Sequence, residues 1–233
     1  MSIFRSLSAT CPSCSETFEM QAVESVNADR RPDLRDTILD RSFQVEGCPK
    51  CGAAFRLDPM FNYVDVERGQ WLSVQPLEQL EEWVENEDEA LATFALAYGE
   101  QAPATAREIG NGLTPRLVFG WPAAREKILA NENKLDDVAL ELMKLALVQS
   151  LDNLPMAEGN ELRLETVEGD TLGLCWVKAQ NDEIVERIQV PREMYDNIVK
   201  DAEAWAAVRQ KLETGPFVDM QKLYMGAGRP VAA

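Results

Sequence analysis

The sequence predicts an α+β protein with a zinc-ribbon-like module at the N-terminus, a helical middle layer, and an antiparallel sheet plus helix at the C-terminus. Three observations carry that reading. Two near-identical motifs, Cys11-Pro12-Ser13-Cys14 and Cys48-Pro49-Lys50-Cys51, hold four of the five cysteines. Residues 123–151 repeat apolar positions at a helical period. Residues 160–190 read instead as three short strand-like runs separated by turn residues. The chain divides accordingly into a module over residues 1–75, a helical region over 76–152, and a β-plus-helix region over 153–233 that ends in a disordered tail from Gly226.

The cysteines organise the module. A two-residue gap aims both sulfurs of one turn at the same point, so two such turns offer four thiolates at ~2.3 Å from a tetrahedral ion. Cys11, Cys14, Cys48 and Cys51 are therefore the candidate metal ligands and Zn²⁺ the candidate cofactor. Proline in the second position fixes φ near about −65° and preforms the turn. Gly52, after the second motif, can take the positive φ that closes such a turn. Ser15 follows the first motif, whose turn is expected to close differently. Lys50 stands where it can offset the charge of the thiolates. Two other readings stay open: a redox dithiol at Cys11 and Cys14, and a disulfide framework. Between Cys14 and Cys48 lie 33 residues, so a segment is inserted between the two knuckles. Cys175 lies in the apolar run Leu172–Val177 and reads as a buried core thiol.

Composition excludes several classes. With 40 acidic and 23 basic residues among 233, the formal charge is −17, which repels nucleic-acid phosphates and anionic membranes and favours basic partners. There is no histidine, so histidine bases, triads and metal ligands are absent. No apolar run approaches the ~20 residues of a membrane span, and residues 1–10 lack a signal-peptide core. A reducing cytoplasm fits best.

In chain order, residues 3–10 and 17–23 read as strands entering and leaving the first knuckle. Pro32 opens a short helix over residues 32–40 with Leu34, Ile38 and Leu39 on its apolar side. Around it lie Arg30, Arg31, Arg35 and Arg41, the one basic cluster, read as a solvated face or a docking surface. Residues 42–46 and 54–57 flank the second knuckle as strands. Residues 60–67 and 71–74 form a hairpin expected to pack against the module. From Trp71 to Ala106 there is no lysine or arginine. Pro76 starts a helix with Leu77, Leu80, Val84, Leu91, Phe94 and Ala95 inward and an outer face of Glu78, Glu81, Glu82, Glu85, Glu87, Asp88 and Glu89. Residues 99–112 read as a loop.

Residues 116–122 form a short apolar run, followed by helices over 123–130 and 134–151. The second carries two apolar stripes, which implies burial around much of its circumference, in a core or a dimer contact. Asp136 and Asp137 sit where its dipole favours negative charge. Strands over 161–167, 171–177 and 183–190 follow. One helix then runs from Pro191 to about Leu212, and residues 217–220 could add a last strand.

With these residues in view, the chain resembles the bacterial CpXC family, named for two such motifs near the N-terminus. The resemblance rests on Cys11-Pro12-Ser13-Cys14, on Cys48-Pro49-Lys50-Cys51-Gly52, on the long insertion between them and on Phe61-Asn62-Tyr63-Val64-Asp65. It covers about the first two-thirds of the chain. It implies zinc binding and a bacterial source. It implies no activity, so no catalytic residue is carried over.

Taken together, the residues favour a non-catalytic, zinc-stabilised interaction or adaptor protein with an acidic docking surface, a protein partner of basic character, and a homodimer as an option. The alternatives are a hydrolase or nuclease using carboxylates and a second metal, with Asp65, Glu67, Asp136 and Asp137 as its candidate acids, and a dithiol redox protein. A nucleic-acid-binding ribbon is disfavoured by charge.

Overall fold

Each Cys-Pro-x-Cys motif forms the tip of an antiparallel hairpin. The computed structural model describes residues 2–151 and 159–225, and the tail expected beyond Gly226 lies outside them. The first hairpin joins β1 (Ile3–Thr10) to β2 (Thr17–Asn27) in a register that pairs Thr10 with Thr17. The second joins β3 (Val45–Gly47) to β4 (Ala54–Arg56). Between them lies α1 (Pro32–Leu39), which has proline in its first turn and buries Leu34 and Ile38, as the spacing predicts.

The hairpin of β5 (Phe61–Asp65) and β6 (Gln70–Gln75) does not pack beside the module as expected; it continues the module's own sheet. β5 pairs in parallel with the end of β2, and β6 pairs in parallel with β7 (Thr114–Phe119). The sheet order is β1-β2-β5-β6-β7. β6 is buried on both faces along most of its length, and β5 buries every second residue, which suits their aromatic and β-branched residues. At the far edge, the Leu117 amide donates to the Pro216 carbonyl at 3.0 Å, and Phe217 bridges Leu117 in parallel. The expected last strand reduces to that one bridge.

The segment after Pro76 begins as a 3₁₀ turn over Leu77–Glu82 and becomes α2 (Trp83–Tyr98). The loop expected over residues 99–112 contains a short helix, α3 (Ala104–Gly110), opened by Pro103. α4 (Gly120–Glu132) lies against β6 and β7 of this sheet and against the C-terminal sheet, buried from Gly120 to Ile128. α5 (Asp137–Ser150) is buried from Val138 to Leu145, the core placement its two apolar stripes imply. Asp136 caps it, accepting from the amides of Val138 and Ala139.

β8 (Asn160–Glu168), β9 (Thr171–Lys178) and β10 (Ile184–Pro191) form an antiparallel meander, the C-terminal sheet the sequence predicts. Leu162, Leu164, Leu172, Leu174 and Trp176 pack on α5, each Leu burial stabilising the fold by about 1.5–3 kcal/mol. The single helix expected after Pro191 is two, α6 (Arg192–Lys200) and α7 (Ala206–Leu212). They are separated by a turn over residues 201–205. Fully buried ion pairs sit between the layers. Lys144 Nζ lies 2.8 Å from Glu126 and 2.9 Å from Glu141, and Arg163 reaches Glu126, Glu161 and Asp219 at 2.6–3.0 Å.

Candidate metal centre

The two hairpin tips meet. The four cysteine sulfurs lie within 4.8 Å of one another. Two contacts run between the motifs: Cys11 Sγ to Cys51 Sγ at 3.7 Å and Cys14 Sγ to Cys48 Sγ at 3.6 Å. A tetrahedron with bonds of ~2.3 Å has edges of about 3.8 Å, so these separations fit four thiolates around one ion. A disulfide needs about 2.05 Å. All four are free thiols, Cys11 and Cys48 buried and Cys51 exposed. The group could hold a metal ion.

Both turns close the same way, contrary to the expectation from Ser15. The Ser15 amide donates to the Cys11 carbonyl at 2.9 Å, as the Gly52 amide does to that of Cys48. Ser15 takes φ 60° and Gly52 φ 71°. Each first cysteine then turns its amide to the strand leaving the knuckle, Cys11 to the Glu16 carbonyl and Cys48 to that of Ala53. Lys50 links the two tips, its Nζ 2.7 Å from Glu16. That carboxylate, and then the charges of Cys14, Cys48 and Cys51, raise the lysine pKa. Phe18 and Phe55 meet edge to face at 5.8 Å beside the cluster. Glu16 and this ring pair carried no signal except their nearness to the motifs.

The thiols are electrostatically unequal. Backbone amides of Cys51 and Lys50 help bring Cys48 down to about 6. At Cys14 the Glu16 amide acts to lower the pKa, but burial and the neighbouring sulfurs push it up to about 12. Four sulfurs in one place thus favour sharing of negative charge, the property a divalent ion exploits. Cys175 is core, as expected, its thiol pushed up to about 12 by burial and by Glu165.

The four acids considered for hydrolysis are not gathered into one site. Asp65 accepts from the amide and side chain of Arg68. Glu67 turns its amide to Asp29. Asp136 and Asp137 do border a polar cavity of about 270 Å³. There, however, Asp137 is clamped by Arg116 at 2.8 Å and Lys127 at 2.9 Å, and Asp136 by Arg209 at 2.9 Å. Burial acts to raise Asp137, but the two cations hold it below the ordinary carboxylate range. The arginine cluster is dispersed as well: Arg31 pairs with Asp33, Arg35 with Asp36 and Glu132, and Arg41 with Glu165. Of the acidic face of α2, Glu85, Asp88 and Glu89 are exposed. Glu87 is not: it is fully buried and accepts from the Phe217 amide. Among the described residues no helix is long and apolar enough to cross a membrane.

A family model described as CpXC protein matches residues 9–144, more than half of the chain. No curated protein and no solved structure matches the chain.

Proposed function

The chain belongs to the CpXC family, and from that premise we propose that Cys11, Cys14, Cys48 and Cys51 bind one Zn²⁺ as a closed structural site in a bacterial, cytoplasmic interaction protein. The observation that carries this reading is the four-sulfur cluster, which draws on both motifs at once. A redox dithiol would need only the two sulfurs of one motif, whereas here all four come together. The local architecture supports a structural role. β3 and β4 have three residues each, and every residue of β3 is exposed. A two-stranded hairpin of that length has too little apolar surface to persist by itself, so a metal bond is the natural source of its order. The docking surface in this reading is the exposed acidic side of the 3₁₀ turn and α2, with Glu78, Glu81, Glu85 and Glu89 facing a basic protein partner.

Native mass spectrometry of the freshly purified chain, with and without a chelator, tests the metal. One zinc per chain is expected, lost on Cys48→Ser, with partial loss of β-sheet circular dichroism on chelation. A metal-free chain two mass units below its reduced value would establish a disulfide and sink the reading. The docking half is tested by salt-sensitive cross-linking to partner proteins, which should be lost when Glu81, Glu85 and Glu89 are changed together to lysine.

A further inference from the structure

Away from the cysteines, one cluster reverses the sign of this acidic molecule. Asp182 sits in the turn between β9 and β10 with φ 63°. Arg125, nearly fully buried, grips both its oxygens at 2.8 and 3.0 Å. Arg56 Nη1 lies 3.0 Å from Oδ2, and Arg41 Nε lies 3.8 Å from it. Arg41 Nη1 and Arg187 Nη2 reach Glu165 Oε1 at 3.2 and 3.4 Å. At ion-pair range, then, four guanidiniums face two carboxylates, an excess of two positive charges.

The hydrogen bonds are as unbalanced as the charges. Arg41 Nε, Arg41 Nη2 and Arg56 Nη2 are buried donors without a hydrogen bond among the described residues, and Glu165 Oε2 is a buried acceptor without one, although the Cys175 thiol bears on the same carboxylate. Leaving such groups without a hydrogen bond is costly, and more so when they are charged. The arginines are nonetheless held in place. Arg56 stacks 4.0 Å over Trp121 and donates Nε to the Phe43 carbonyl at 2.8 Å. Burial, opposed by Asp182 and reinforced by Arg125, brings Arg56 down to about 10. Arg41, its side chain 28% exposed, is the wall that faces solvent.

We propose that this arginine cluster, where the cysteine module meets the C-terminal sheet, binds inorganic phosphate as HPO₄²⁻. The dianion matches the excess charge. Its unprotonated oxygens accept from the three unpartnered guanidinium nitrogens, the fork geometry that favours arginine at phosphate sites. Its one P–O–H donates to Glu165 Oε2. Sulfate has the same shape and charge but no proton to give, and it would meet that carboxylate oxygen with repulsion.

Isothermal titration of the metal-loaded chain at low ionic strength tests the assignment, with inorganic phosphate and sulfate in separate runs. Saturable one-site binding of phosphate is expected, about tenfold or more tighter than sulfate, the worth of one charge-assisted hydrogen bond. Arg41→Gln, checked for fold by circular dichroism, should weaken phosphate by a similar factor. Glu165→Gln should erase the preference for phosphate over sulfate. Absence of saturation at phosphate concentrations on the order of 10 mM, sulfate binding equal to phosphate, or affinity unchanged in folded Arg41→Gln overturns the proposal.

Discussion

Ser15 and Gly52 occupy the same position in two copies of one turn, and they pay for it differently. A left-handed φ costs a residue with a Cβ about 1 kcal/mol, and glycine nothing. The knuckle demands that φ because each following amide must reach back to the first cysteine's carbonyl. At Gly52 an added Cβ would meet no atom within 4 Å, so only the backbone conformation resists it. Gly52→Ala is therefore expected to cost about 1 kcal/mol. Urea denaturation of the metal-loaded chain measures it, and an unchanged midpoint would show that the turn does not need the left-handed conformation. The four sulfurs were legible in the sequence because a Cys-x-x-Cys pair fixes its own local geometry. The conformation of Ser15 was not, since serine has no preference that announces it and the ion-sized cluster imposes it from outside.

Glu87 shows what happens to a charge pattern when an element meets a distant segment. By spacing it belongs to the exposed acidic side of α2, yet it is fully buried. The segment after α7 explains this: the Phe217 amide donates to Glu87 Oε1 at 3.0 Å, and Lys222 Nζ lies 3.1 Å from it. Gly215, at φ 87°, brings that segment in where a Cβ would collide with the Glu87 carboxylate. Glu87→Ala is expected to lose about 3 kcal/mol, because it strands a buried ammonium and a buried amide. Glu85→Ala, two residues away on the exposed side, should stay within about 0.5 kcal/mol. The two midpoints in denaturant separate the cases; equal losses would mean that the clamp holds nothing. Strands, helices and the β8–β10 meander were legible because their periodicity is local. The parallel pairings of β2 with β5 and β6 with β7 were not, nor was the break between α6 and α7, because each is decided by surfaces far away in sequence.

At the scale of the whole molecule, the α4–α5 layer meets the C-terminal sheet through buried charges, and this makes stability depend on pH in a direction that can be worked out. Glu141 is fully buried, and burial pushes it up to about 7, against Lys144 and Lys127 and with Asp219 and Glu126 adding to the rise. Its pKa in the unfolded chain is about 4.3. The folded state therefore binds a proton that the unfolded state has released, and stability falls as pH rises between about 4.5 and 7, by at most about 1.4 kcal/mol per pH unit for one group. Asp219 acts in the opposite sense. Burial raises it, but Arg163 and Lys144 prevail and bring it down to about 2, and Asp137 is held low by Lys127 and Arg116. Their contribution is present above about pH 4 and is lost as pH falls through the folded values. Glu141→Gln keeps the shape, and Gln can still accept from the Met220 amide as Glu141 Oε2 does at 2.9 Å. It should thus remove the decline on the neutral side and leave the acid side as it is. The measurement is the difference in unfolding free energy between wild type and Glu141→Gln, both metal-loaded, from pH 5.5 to 8. It is expected to tilt in favour of the variant as pH rises to about 7 and then level off. A difference that stays flat across that range would mean that Glu141 is already ionised, and that Lys144 balances it throughout.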